Sequence, residues 1–282
     1  MAFDWSKVGR TPPSALGETR SLAHHAAQWV AKVAQANLKA MPDDSQSSFS
    51  WDPSYLALVS QPLPAKGGAV RMGLRIGRLE LILTRGANVV DAFQFDGKTE
   101  AEAGIWVDTK MNALSLKPAT GATLGYALPE HPVGGGRHRL GMLGRELAEL
   151  SRWFGGPAEA LEDFRGKVAA MHPGPVRCWP HHFDIATLVR LDEGTDESAR
   201  AIGVGASPGD EFYSQPYVYV SPWPHFESKS LPELPLPGHW HTEGFFAAVA
   251  TGDEILAMTE RARALREFIE VAFELSRTGL GR

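Results

Sequence analysis

The stretch Val70-Arg71-Met72-Gly73-Leu74-Arg75-Ile76-Gly77-Arg78-Leu79-Glu80-Leu81-Ile82-Leu83 decides the fold class. Val70, Met72, Leu74 and Ile76 alternate with small or charged residues, the period-2 signature of a strand with one buried face. Gly77 interrupts the pattern, and a second apolar run, Leu79 to Leu83, follows at once. A third run, Val89 to Phe95, follows Gly86, and Tyr55 to Val59 supplies a fourth candidate upstream. Short apolar runs broken by glycine predict an antiparallel meander.

Helical periodicity flanks these strands. Leu22, Ala26, Trp29, Val30, Val33, Leu38 and Met41 recur at three- and four-residue steps, so Glu18 to Met41 reads as an amphipathic helix ended by Pro42. Thr99 to Leu114 reads as a second helix covering the sheet. Leu140 to Phe154 reads as a third, closed by Gly155-Gly156, and Ala158 to Met171 as a fourth that begins after Pro157. Strand signals return at Phe183 to Leu191, Ala199 to Ala206, Tyr217 to Val220 and Gly244 to Ala250. A last helix spans Asp253 to Leu275, with Thr251 or Asp253 as its cap.

The reading is α+β: antiparallel sheets flanked by long helices. Residues 1–17 form an arm carrying Phe3 and Trp5, and residues 18–282 form a single compact unit. The order helix, strands, helix occurs twice, which suggests pseudo-duplicated halves over 18–117 and 140–282.

Composition narrows the function classes. With 282 residues and 43% hydrophobic content the chain can bury a full core, and a net charge of -5 argues against an electrostatic nucleic-acid binder. A lone cysteine, Cys178, excludes an internal disulfide and cysteine-rich zinc motifs. It reads as a buried inert thiol. No secretory start and no apolar run of membrane length are visible, so the expectation is a cytoplasmic protein with no membrane partner.

Two histidine segments carry the chemistry. In Gly238-His239-Trp240-His241-Thr242-Glu243-Gly244, an extended backbone would place His239, His241 and Glu243 on one face as ligands for a divalent metal. The His-x-His pair resembles the start of a cupin metal motif, although a cupin places its glutamate further along. In Trp179-Pro180-His181-His182-Phe183-Asp184, the same alternation would pair His182 with Asp184, a carboxylate orienting an imidazole that carries protons. Glu211 is a further candidate base in the turn that starts at Ser207. Tyr217, Tyr219 and Ser221 share one side of a strand, and Tyr217 and Tyr219, with Trp179 and Trp240, would line a pocket for a small-molecule substrate.

Other features read as structural. His25 lies near the core stripe of the first helix, and His24 beside it. Gly134-Gly135-Gly136-Arg137-His138-Arg139 reads as a flexible crossover loop, or alternatively as an anion cradle. It fits no nucleotide-binding fingerprint, so no nucleotide cofactor is expected. The Pro- and Trp-containing segment Pro222 to Pro237 is a candidate interaction loop.

Phe183-Asp184-Ile185-Ala186, the alternating tyrosines Tyr213 to Tyr219, and the long first and last helices together resemble a bacterial domain-of-unknown-function family, number five-nine-nine-six. The resemblance covers most of the chain after Glu18. It implies an α+β protein of bacterial type and no particular reaction. The residues themselves point to a small-molecule enzyme, a hydrolase or lyase working through a His/Asp/Glu pocket with or without metal. The second reading is a non-catalytic ligand-binding protein with a Tyr/Trp-lined pocket.

Overall fold

A computed structural model describes residues 3–194, 199–225 and 231–281. The chain divides into two compact units, both discontinuous in sequence. One, the N unit, comprises Ala15–Arg152 and Arg177–Phe183. The other, the C unit, comprises Met1–Ser14, Trp153–Val176 and Asp184–Arg282. This partition crosses the halves that the sequence pattern suggests.

The N unit is built on the meander. Strands β1 (Ser50–Asp52), β2 (Ala57–Val59), β3 (Arg71–Arg75), β4 (Glu80–Arg85) and β5 (Asn88–Gln94) pair antiparallel in that order. Met72 stands opposite Leu83 and Leu74 opposite Leu81. The β4–β5 hairpin turns at Gly86, whose φ of +57° is costly for any residue with a Cβ. Strand β4 is buried on both faces, whereas β5 is the exposed edge. Helix α1 (Gly17–Asn37) packs on β3, burying Leu22, Trp29, Val30 and Val33. Each such side chain contributes roughly 1.5–3 kcal/mol.

Helix α2 (Glu100–Ala113) is fixed at its start by a capping box. Thr99 accepts from the Glu102 backbone, and the Glu102 carboxylate accepts from the Thr99 N–H. Gly104 lets it approach α1, because a Cβ there would lie 2.8 Å from the Trp29 ring. Strand β6 (Arg177–Trp179) rejoins this unit through the Phe49–Cys178 bridge, and Cys178 is buried as expected.

Helix α3 (Gly144–Lys167) corrects a sequence expectation. It is one unbroken helix with Pro157 inside, not two helices separated at Gly155-Gly156. The glycines serve packing. A Cβ on Gly156 would sit 2.7 Å from the Phe3 ring and 2.8 Å from Trp5, so the bare position seats the arm. Trp5 is 7% exposed and meets Phe3 and Trp153 edge-on.

In the C unit, β7 (Asp184–Arg190), β8 (Ala201–Ser207), β9 (Tyr217–Trp223), β10 (His239–His241) and β11 (Ala247–Thr251) form an antiparallel sheet in the order β10-β11-β9-β8-β7. The last helical segment is also corrected. It is two helices, α4 (Gly252–Ala257) and α5 (Arg261–Gly279), separated where Met258 turns extended. Arg261 holds the break, donating to the carbonyls of Val8 and Leu256. Leu265, Phe268, Ile269 and Phe273 of α5 are buried, and α5 packs on β8 and β9. Among the described residues, no helix is long and apolar enough to cross a membrane.

Candidate functional site

Sheet register builds the site in the C unit. Tyr217 lies opposite Ser207 and Thr251, Tyr219 opposite Gly205 and Val249, and Val249 opposite His239. One face therefore carries Tyr217, Tyr219, His239 and, two residues on, His241. The expected sharing of a face by Tyr217, Tyr219 and Ser221, and by His239 and His241, is what the pairing gives. Tyr219 lies across the bare position of Gly205, and its hydroxyl donates to Asp184 at the start of β7.

The loop from Ser207 to Pro216 delivers a third tyrosine. Asp210 Oδ1 accepts from the backbone N–H groups of Phe212 and Tyr213, and Asp210 Oδ2 accepts the Tyr217 hydroxyl at 2.5 Å. This local winding, typical of Asp in turns, points Tyr213 at the sheet. Its hydroxyl lies 3.1 Å from His239 Nε2 and 2.8 Å from His241 Nδ1.

The far nitrogens of both rings are anchored. His239 Nδ1 donates to Glu254 Oε1 at 3.0 Å, and His241 Nε2 donates to the Glu243 carbonyl at 2.6 Å. Those anchors set both tautomers, leaving an acceptor nitrogen on each ring facing the phenol. A hydroxyl has one hydrogen and can donate to one ring at a time. The phenol bridges the two rings, within hydrogen-bond distance of both acceptor nitrogens. Burial, reinforced by the carboxylates of Glu254 and Asp210, raises the Tyr213 pKa and keeps it a phenol, a proton donor. Burial raises Tyr217 likewise, with Asp210 adding to the effect. Phe212 and Phe245 close the side of the His241 ring, at centroid distances of 5.6 and 4.0 Å.

Glu254 has a second task. Its Oε2 accepts from the Thr251 backbone N–H and hydroxyl, both at 2.7 Å, as the capping box of α4. Sequence reasoning named Thr251 as a cap but missed Glu254 and Tyr213 as members of the site. The signal for Glu254 was the T-x-x-E spacing itself.

The remaining candidates lie elsewhere. Strand β10 ends at His241, so Glu243 leaves the common face. Its side chain is exposed, and only its carbonyl reaches an imidazole. Glu211 is exposed in the loop. Trp240 points to the opposite face, donating to the Pro232 carbonyl and stacking on Phe246 at 5.4 Å. His182 does not precede Asp184 along a strand. Residues 180–183 form a turn, and Phe183 has φ +59°, which ends the alternation on which their pairing rested. His182 and Trp179 belong to the N unit and Asp184 to the C unit. Two shallow clefts of the C unit, one lined by Trp5 and Met258 to Ala262 and one by Lys167 and Arg263 to Val271, include none of the tyrosines or histidines. Residues 226–230 of the proposed interaction loop lie outside the described residues.

The N unit holds two further histidine arrangements. His24 is buried, stacks on Phe183 at 5.0 Å and donates through Nε2 to the Pro180 carbonyl at 2.8 Å. Gln28 shares that carbonyl and accepts the Tyr126 hydroxyl at 2.6 Å. The helix stripe points to His25, yet it is His24 that is buried here in a structural hydrogen bond. The Gly134–Arg139 loop is ordered by hydrogen bonds, with Arg137 donating to Gly97 and Glu102. It places His131 and His138 against Glu100, a grouping the sequence reading missed.

No family model, no curated protein and no solved structure matches this chain.

Proposed function

We propose that the protein is a small-molecule enzyme of the general acid/base type, a hydrolase or lyase, acting on the Tyr213–His239–His241 face of the C unit. One imidazole accepts the proton of an attacking water or of a substrate carbon. The Tyr213 phenol supplies a proton to the departing oxygen and recovers one from the second ring. Asp184, Tyr217 and Tyr219 form the polar aromatic floor that orients the substrate.

The observation that carries this reading is the placement of one phenol between two imidazoles whose other nitrogens are already anchored. It needs no metal at His239 and His241, because each of the four ring nitrogens has a protein partner.

The test is a panel of small esters, amides and eliminable β-hydroxy acids assayed with wild-type protein and Tyr213→Phe. Loss of a single hydroxyl preserves shape, so folding is checked by thermal melting. The expected result is a turnover that falls about 100-fold or more in Tyr213→Phe, the scale of general acid/base catalysis. Turnover that Tyr213→Phe and His241→Gln leave intact would reject it. A compound bound but never turned over would favour the ligand-binding reading, for which the Tyr213, Tyr217, Tyr219 and Phe245 cluster is the supporting observation.

A further inference from the structure

We propose that Glu100, His131 and His138 of the N unit form a binding site for a divalent transition-metal ion of the zinc class. The site is independent of the tyrosine–histidine face and shares no residue with it.

Among the described residues this is the one group of three His or carboxylate donors with metal-ligand spacing. Glu100 Oε1 lies 3.2 Å from His131 Nε2 and 3.0 Å from His138 Nε2. The three donor atoms all lie within 4.8 Å of one another, and a tetrahedral ion with bonds of 2.0–2.1 Å holds its ligand atoms about 3.3 Å apart, so modest side-chain shifts suffice to close the set on an ion.

The scaffold holds the donors independently of the ion. Glu100 is the first residue of α2, directly after its capping Thr99. Its other oxygen accepts from Trp29 Nε1 at 2.7 Å, which orients the carboxylate and leaves Oε1 toward the histidines. His138 is fully buried, and its backbone exchanges hydrogen bonds with Gly97 and Lys98 at 2.9 Å. The turn at Gly134 to Gly136 brings His131 back to the same carboxylate. His25 stands beside them, its ring 4.3 Å from that of His131 and its Nε2 without a hydrogen-bond partner.

Two histidines and one carboxylate neutralise half of the ion's charge excess and leave a coordination position for water, the donor set of catalytic rather than structural zinc. His131 and Glu100 are 19% and 24% exposed at the side chain, so solvent reaches that position. The far nitrogens are poorly supported. His138 Nδ1 has no partner, and His131 Nδ1 accepts from the Val133 N–H, which must turn away when that nitrogen carries the proton. Missing outer partners weaken affinity by about 10–100-fold each, so micromolar rather than picomolar binding is expected.

The experiment strips the full-length protein with chelator, then titrates Zn²⁺ against a chromogenic competitor and Co²⁺ by visible absorption. The expected result is one equivalent bound at micromolar affinity, with the intense Co²⁺ bands of a four-coordinate site. Glu100→Gln and His131→Gln each weaken binding at least about 30-fold, while a His239→Gln/His241→Gln variant keeps the equivalent. His131 lies in a partly exposed loop, so its variant remains informative if changes at Glu100 or His138 impair folding. No stoichiometric ion in wild type, or equal affinity in Glu100→Gln and His131→Gln, overturns the proposal.

Discussion

Gly205 lies directly beneath the phenol of Tyr219. The two are partners across β8 and β9, and a Cβ on Gly205 would fall 2.5 Å from the Tyr219 hydroxyl oxygen and 2.7 Å from the Ala186 Cβ. The ring end could swing aside, but Ala186 is held by the β7–β8 ladder. Gly205→Ala should therefore cost about 1–3 kcal/mol and detach Tyr219 from Asp184. Urea midpoints for Gly205→Ala, Tyr219→Leu and the double variant test this. The double variant should lose less than the sum of the single losses, and strict additivity would mean the two residues do not clash.

His24 makes stability depend on acidity. Burial, with His25, Arg20 and His182 adding like charge, lowers its pKa from 6.5 to about 4 despite the bond to Pro180. As pH falls, the unfolded chain takes up this proton first. The contribution is complete above pH 6.5 and declines on the way down to about 4. Below that, a difference on the order of 3 kcal/mol has gone. In His24→Gln, which can still donate to Pro180, the dependence of unfolding free energy on pH between 6.5 and 4 should flatten by about one proton. Parallel slopes in the two proteins would contradict the assignment.

Gly156 should be better as glycine than as alanine even though it sits inside a helix. Alanine gains about 1 kcal/mol of helix propensity, yet its methyl would meet Phe3 and Trp5 at 2.7 and 2.8 Å. Gly156→Ala is expected to destabilise the full-length protein by about 1–2 kcal/mol. In a chain lacking residues 1–8 the same change should become neutral or stabilising, and thermal melts of the four proteins decide the matter.

Glu254→Gln should act in two places at once. The capping box weakens, by about 0.5–1 kcal/mol in a denaturant titration. The acceptor that keeps hydrogen on His239 Nδ1 also loses its charge. Long-range ¹⁵N spectra of the His239 ring should then show a shift toward the other tautomer. An unchanged His239 spectrum would mean that Glu254 does not set it.

Much of this was readable in the chain. The meander was legible because Met72, Leu74, Leu81 and Leu83 alternate over a buried layer, and the pairing places them opposite one another. Of the two cap candidates at the last helix, Thr251 is the one that caps, whereas the equivalent T-x-x-E spacing at Thr99 went unread and starts α2. The course of α3 was not legible. Gly155-Gly156-Pro157 carries the marks of a terminator, and only the distant arm explains why the helix continues.

The site divides in the same way. Alternation correctly paired His239 with His241, because both lie within a real strand. It failed for His182 and Asp184, because Phe183 adopts a left-handed conformation that no local pattern signals. Tyr213 and Glu254 meet the histidines only through tertiary winding, the one by way of Asp210 and the other by way of a helix start. Glu100, His131 and His138 were hidden for a related reason, since glycines between the two histidines read as slack chain rather than as a turn.

The double duty of Glu254 ties two properties that proteins usually tune apart. One oxygen secures the first turn of a helix, and the other decides where an imidazole keeps its hydrogen. Fraying at that terminus would therefore also release the His239 ring, so a change that loosens the helix start is felt at the imidazole as well.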